Sequence, residues 1–323
     1  MHALITGGAG FIGSHLAEAL LAQGHRVTAV DNLSTGRRAN VAHLAGQLRF
    51  QLVVETITNE AVLDRLASEC DVIFHLAAAV GVELIIRDPV RTIETNLQGT
   101  DVILKLARRY GKKVLLASTS EVYGKSAAVP FNEDADRVLG PTTKSRWSYA
   151  ESKAIDEHLA LAYHKQFGVP VVICRFFNTV GPRQSGSYGM VIPRLVQQAL
   201  AGQPLTVYGD GSQSRCFCNV RDTVRAVLAL AAEPAAVGEI FNVGSQDEIT
   251  IRALAERVLA RAGAGGPLRL VPYEQAYEKG FEDMQRRVPG LAKIQAMIGW
   301  APTVPLDETL DEVIAYFRAG HTG

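Results

Sequence analysis

The chain is poor in the residues that staple or anchor a protein. Its four cysteines, Cys70, Cys174, Cys216 and Cys218, form neither a disulfide framework nor the paired Cys-x-x-Cys spacing of a zinc site. Cys216 and Cys218 alternate, so on an extended segment they are expected to face opposite ways. Eight histidines, His2, His15, His25, His43, His75, His158, His164 and His321, are scattered along the chain, which points to structural or surface roles and to no metal. No uninterrupted apolar run is long enough to span a membrane. Neither sign of charge is in excess: 33 basic and 33 acidic residues cancel. Nothing global therefore draws the chain to nucleic acid or an anionic membrane, and any phosphate site must be local. The first residues read as a strand that runs at once into a glycine turn, leaving no room for a signal peptide. A cytoplasmic address and a small-molecule partner are the expectations.

What is present is apolar and periodic. With 47% hydrophobic residues, 323 residues can bury a large core as two closely packed lobes. Short apolar runs at 3–6, 27–30, 50–54, 72–75, 114–117 and 171–175 alternate with helical patterns at 12–23, 61–68, 90–110 and 147–167. That alternation predicts an α/β fold, a Rossmann-type doubly wound parallel sheet with helices on both faces. After Asn178 the elements shorten between turns at Gly181-Pro182, Gly202-Gln203-Pro204 and Gly209-Asp210-Gly211. The expected division is a cofactor domain over 1–178, with segments near 218–243 returning to it, and a smaller α/β substrate-binding lobe over 179–323. Helical patterns at 251–261 and 306–317 complete the lobe.

The first strand ends in Gly7-x-x-Gly10-Phe11-Ile12-Gly13. Strand, glycine turn and helix put backbone amides and a positive helix end against a pyrophosphate, and glycine permits close approach. The second strand ends in Val30-Asp31-Asn32, where a carboxylate accepts bonds from ribose hydroxyls and repels an added phosphate. This favours NAD over NADP, although Arg37-Arg38 follow closely enough to meet a phosphate if the loop folds back.

Tyr149 and Lys153 are four apart in a predicted helix and share one face, so the ammonium can stabilise a phenolate. Lowered from its ordinary value near ~10, the phenol can take a proton from a substrate hydroxyl, with Thr119 donating to or relaying with the same oxygen. These are the groups an alcohol oxidation needs.

With these motifs in place, the chain resembles the extended short-chain dehydrogenase/reductase superfamily, and within it the nucleotide-sugar epimerases and decarboxylases, over nearly its whole length. The resemblance implies that Gly7, Gly10, Phe11, Ile12, Gly13, Asp31, Asn32, Tyr149 and Lys153 hold NAD. Ala77 in His75-Leu76-Ala77-Ala78 and Asn96 in Thr95-Asn96-Leu97 would join them, with Thr56 standing where relatives often carry an acidic residue. It further implies that Asn178, Val191, Tyr208 and Arg215 bind the nucleotide of a UDP-sugar, the planar guanidinium suiting a diphosphate. Thr119-Ser120-Glu121 and Arg286-Arg287-Val288-Pro289 are most similar to UDP-glucuronate decarboxylases, which implies that Glu121 and Arg287 face the sugar carboxylate. Such an enzyme oxidises C4 and loses the C6 carboxylate, giving UDP-xylose or a UDP-4-ketopentose.

A UDP-hexose or UDP-uronate 4-epimerase would use the same Thr119, Tyr149, Lys153 and NAD. A non-catalytic NAD- or nucleotide-sugar-binding regulator would keep the fold alone. The segments Val80-Gly81-Val82-Glu83 and Gly280-Phe281-Glu282-Asp283 bear on the choice of product, and the resemblance also implies a homodimer through helices 90–110 and 147–167.

Overall fold

Runs of four to six apolar residues that are buried on both faces can only be strands inside a covered parallel sheet. A computed structural model, which describes residues 1–79, 88–186, 190–272, 275 and 284–321, has such a sheet at its centre. Its strands are β1 (His2–Thr6), β2 (Arg26–Val30), β3 (Phe50–Val53), β4 (Val72–His75), β5 (Lys113–Thr119), β6 (Val171–Phe176) and β11 (Ile240–Val243). All pair in parallel, in the order β11-β6-β5-β4-β1-β2-β3.

Four crossover helices follow the expected pattern: α1 (Phe11–Ala22), α2 (Glu60–Glu69), α3 (Pro89–Tyr110) and α4 (Ser148–Phe167). Their ends are set by local chemistry. Asn59 and Asp88 accept N-terminal amide bonds, Pro89 takes the first turn of α3, and Gly111 and Gly168 close α3 and α4 in the left-handed region. Trp147, expected in α4, belongs instead to a short preceding turn, Ser145–Trp147, and its indole is buried. Strand β5 runs two residues past the expected Ala117, which carries Thr119 to the strand end.

The second half builds a smaller layer from α5 (Val191–Leu200), α7 (Ile251–Ala262) and α8 (Leu306–Arg318), joined through Ile192, Leu195, Leu254, Val258, Leu310 and Val313. Strands β8 (Leu205–Tyr208) and β13 (Leu268–Val271) pair in parallel, and β9 (Ser214–Cys216) pairs antiparallel with β12 (Glu248–Thr250). Between them, β10 (Cys218–Asn219) pairs with β7 (Thr179–Val180) just beyond β6. The chain then returns through α6 (Val220–Ala232), which packs its Val227 and Leu230 into one core with Leu16 and Leu20 of α1, before β11 closes the sheet edge. All four cysteines are buried and free, and burial raises the thiols of Cys70 to about 11 and of Cys216 and Cys218 to about 12.

The strand order reverses between β1 and β4. In open parallel sheets the crevice at such a reversal, outside the carboxyl ends of the strands, is where ligands bind. Here it is framed by the Gly7 turn after β1, Asp31 after β2, Ala77 after β4, Thr119 at the end of β5 and Asn178 after β6.

Candidate active site

A cavity of about 910 Å³ occupies that crevice and continues under the smaller lobe. It is lined by Gly7, Gly10, Phe11, Ile12, Gly13, Asp31, Asn32, Thr56 and Ala77 at one end, and by Thr119, Glu121, Tyr149, Lys153, Asn178, Val191, Tyr208, Arg215 and Arg287 at the other. Of the residues expected to touch cofactor or substrate, Asn96 is not in the wall. It is buried behind it, accepting a bond from the Ala79 amide at 2.9 Å and donating to Ser152 Oγ at 3.1 Å. These bonds tie the loop after β4 to α4. Val80-Gly81-Val82-Glu83 and Gly280-Phe281-Glu282-Asp283 lie outside the described residues.

The glycine turn has the shape a pyrophosphate needs. Gly7 has φ +72°, and a Cβ there would stand 2.9 Å from the Ala77 nitrogen; a Cβ on Gly13 would collide with the Gly7 carbonyl oxygen. Gly10, which precedes α1, supplies no side-chain cap, so the positive end of the helix faces the cavity through residues 10–13. Asp31 lies beside this turn, its carboxylate accepting from the Ala9 amide at 3.0 Å and the Leu33 amide at 2.8 Å. Burial raises its pKa against those bonds. The loop to Arg37 wraps closely around the carboxylate, since a Cβ on Gly36 would lie 2.6 Å from Asp31 Oδ2. Arg37 joins the cavity wall and Arg38 does not. A buried carboxylate, an open helix end and Cβ-free backbone fit an adenine dinucleotide.

The oxidation triad also converges. Thr119 Oγ1 accepts from the Glu121 amide at 3.2 Å, and the Thr119 hydroxyl is near enough to the Tyr149 phenol to favour its ionised form. Burial and then the charge of Glu121 push the phenol's pKa up, with Thr119 opposing. The expectation that Lys153 lowers the phenol is not met in this geometry, because the Lys153 ammonium is bonded to Asp156 Oδ2 at 2.7 Å.

The sequence reading set Glu121 and Arg287 at the sugar carboxylate but missed the second guanidinium, that of Arg146. Glu121 Oε1 is 2.9 Å from Arg287 Nη2 and Glu121 Oε2 is 2.5 Å from Arg146 Nη1. Burial would raise the carboxyl, but the two guanidinium groups outweigh it and hold its pKa down at about 2. Glu121 is therefore a carboxylate at every working pH, bracketed by two guanidinium groups in the cavity wall. Arg146 precedes Tyr149 by three residues, and nothing in its local pattern separates it from a surface arginine. The turn that carries Glu121, Ser120–Tyr123, is pinned from behind: Arg175 donates to Glu157 at 2.9 and 2.7 Å and to the Tyr123 hydroxyl at 2.9 Å, which donates to Asn242 Oδ1 at 2.7 Å.

Toward the smaller lobe, Asn178 sits at φ 31°, donates to the Cys216 carbonyl at 2.9 Å and accepts from Arg287 at 3.4 Å. Arg215 donates to the carbonyl oxygens of Ser214 at 2.8 Å and Gln285 at 3.3 Å while lining the cavity. Arg194, also overlooked in the sequence, lays its guanidinium over the Tyr208 ring at 4.2 Å.

Comparison with known proteins agrees with this chemistry. The family model for the NAD dependent epimerase/dehydratase family matches residues 3–244. The chain is 45% identical to the UDP-N-acetyl-alpha-D-glucosaminuronate decarboxylase of Bacillus cytotoxicus, covering 98% of this chain and 97% of that one. It is 41% identical to UDP-glucuronic acid decarboxylase 1 of Xenopus tropicalis, covering 98% of this chain and 72% of the relative. Among solved structures it superposes with a TM-score of 0.90 on the UDP-glucuronic acid 4-epimerase of Bacillus cereus in complex with UDP-glucuronic acid and NAD. That protein is 29% identical, with 99% of this chain and 100% of the other covered.

Proposed function

Because the chain belongs to the NAD-dependent epimerase/dehydratase family, we propose that it is an NAD-dependent decarboxylase of a UDP-linked uronic acid, UDP-glucuronate in the first instance. The observation that carries this reading is Glu121 held between Arg146 and Arg287 one turn from the Thr119–Tyr149 pair. The proposed cofactor lobe (1–178, with 218–243 returning) holds NAD on the Gly7–Gly13 turn and Asp31. The proposed nucleotide-sugar lobe (179–323) offers Asn178, Val191, Tyr208 and Arg215 to the UDP.

NAD, when bound, supplies the hydride acceptor for oxidation at C4. Tyr149 takes the C4 hydroxyl proton through a bond shared with Thr119. The product is a β-keto acid, whose C6 carboxylate leaves as carbon dioxide because the C4 carbonyl receives the electron pair. Arg287 and Arg146 hold the uronate carboxylate end, and the fixed negative charge of Glu121 opposes that carboxylate and favours its departure. The enolate so formed takes a proton at C5 to give the UDP-4-ketopentose, which is released as such or takes hydride back at C4, with a proton on its oxygen from Tyr149, to give UDP-xylose.

The 45% relative favours a second substrate, the 2-acetamido uronate, for the same reaction. A 4-epimerase would share Tyr149 and Thr119, and a UDP-hexose 4-epimerase, whose substrate carries no carboxylate, has no use for a charge clamp of this kind. The exposed apolar residues Val90 and Ile93 on α3 and Ile155 and Phe167 on α4 support a homodimer through that helix pair. Four buried free thiols suit the reducing cytoplasm.

The deciding experiment incubates the protein with NAD and, separately, UDP-glucuronate, UDP-N-acetylglucosaminuronate and UDP-glucose, following carbon dioxide and sugar products by NMR. Carbon dioxide with a UDP-pentose from either uronate is expected. UDP-galactose from UDP-glucose or UDP-galacturonate from UDP-glucuronate, without carbon dioxide, would replace the reading with epimerisation.

A further inference from the structure

The reaction described above has no use for Asp156, a carboxylate with no exposed side-chain surface. It lies three residues after Lys153 on α4 and accepts the 2.7 Å bond from the Lys153 ammonium. Its other oxygen, Oδ1, is buried with no hydrogen-bond partner, and Thr100 of α3, which favours the ionised carboxyl, has its Oγ1 3.2 Å from His75 Nε2, whose Nδ1 lies 2.8 Å from Thr6 Oγ1. A row of buried polar side chains thus lies between Lys153 and the end of β1.

The charges facing this chain come from several elements, and most are already matched. Glu157, on the same helix, is bonded by Arg175. Glu121, from the turn after β5, is held by Arg146 and Arg287. His75, from β4, is neutral, because burial and the charge of Lys153 lower it to about 3. Among the described residues, Asp156 is the carboxylate that Lys153 touches, and Tyr149, one turn back on α4, feels its negative charge as well.

We propose that Asp156 is a positioning residue that competes with the Tyr149 phenol for the ammonium of Lys153, and so sets how readily the phenol releases its proton. The proposal rests on the reading of Tyr149 as the base. The argument is one of charge. With Asp156 ionised, Lys153 protonated and Tyr149 neutral, the group carries no net charge, and losing a further proton makes it negative inside the fold. Without the carboxylate the same loss takes the group from positive to neutral, which a buried site favours. Asp156 therefore keeps the resting phenol protonated until the ammonium is drawn away from it.

The test is a tyrosinate absorbance titration of the wild type, Asp156→Asn and Asp156→Ser. Each is subtracted from its own Tyr149→Phe counterpart so that only the Tyr149 signal remains. In the wild type Tyr149 should add no signal up to pH ~10, the ordinary phenol value. In both substituted proteins its phenolate should appear at least about one pH unit lower than in the wild type, a tenfold change in proton affinity. The acid limb of the kcat profile should move the same way. The smaller serine variant guards against a packing failure peculiar to asparagine. An unshifted or raised phenolate titration in a folded variant would overturn the proposal. Wild-type turnover by Tyr149→Phe would instead overturn the catalytic reading, leaving the absorbance comparison to judge Asp156 separately.

Discussion

Replacing Arg146 with methionine tests the charge clamp directly, because methionine keeps most of the buried stem and removes only the guanidinium. In the wild type Glu121 titrates at about 2 against an ordinary 4.5. That difference corresponds to roughly 3 kcal/mol of stability from the ionised carboxylate, at 1.36 kcal/mol for each pH unit. Since the folded-state value is the depressed one, the contribution is complete above the ordinary carboxyl value and disappears as pH falls from there through about 2. Two unit charges ~4 Å apart interact by about 4 kcal/mol at an effective dielectric of 20. Losing one of two such partners, with Arg287 still 2.9 Å away, should raise Glu121 by roughly two units and cost about 2 kcal/mol at pH 7. Urea unfolding of both proteins between pH 7 and pH 3 should show a gap that is widest near neutrality and narrows below pH ~4. In carbon dioxide release, kcat/KM for the uronate should fall about 10- to 100-fold, while binding of UDP-glucose, which carries no carboxylate, stays within about threefold. A stability loss that is the same at every pH would mean that Arg146 acts by packing alone, and the charge argument would be wrong.

Other substitutions probe the remaining parts. Tyr149→Phe should lower oxidation by about 10²- to 10⁴-fold with UDP-sugar affinity kept, measured by product formation and calorimetry; retained turnover would remove the phenol from the reaction. Gly13→Ala would drive a methyl group into the Gly7 carbonyl, and NAD affinity by fluorescence titration should drop at least about tenfold. Ile93→Asp should dissociate the proposed dimer, seen as halved mass by light scattering at micromolar concentration, whereas an unchanged mass would place the interface elsewhere.

The cofactor half of the site was legible because its signal is local. A strand, a turn in which Gly7 and Gly13 have no space for a side chain, and a carboxylate at the end of the next strand are all written in contiguous residues. The catalytic pair was legible for the same reason, one helical turn separating Tyr149 from Lys153. What contiguous sequence does not display is which charges become neighbours through the fold. Arg146 and Arg287 are far apart in the chain and meet only at Glu121. Asp156 has the spacing of an ordinary surface ion pair, and only the burial of α4 against α3, β5 and β6 makes it part of the site. Asn96 shows the same limit: its motif is plain in the sequence, but that its amide bonds Ala79 and Ser152 is not.

The return of the chain through α6 and β11 bears on how the protein is made. Leu16 and Leu20 emerge from the ribosome early, yet their cover, Val227 and Leu230, is synthesised some two hundred residues later. A nascent chain halted at residue 178 would hold the glycine turn, Asp31 and Tyr149 but leave one face of α1 bare and the edge of β6 without β11. Such a fragment is a substrate for chaperones rather than a free-standing nucleotide-binding module, and truncation at the apparent lobe boundary should yield inclusion bodies.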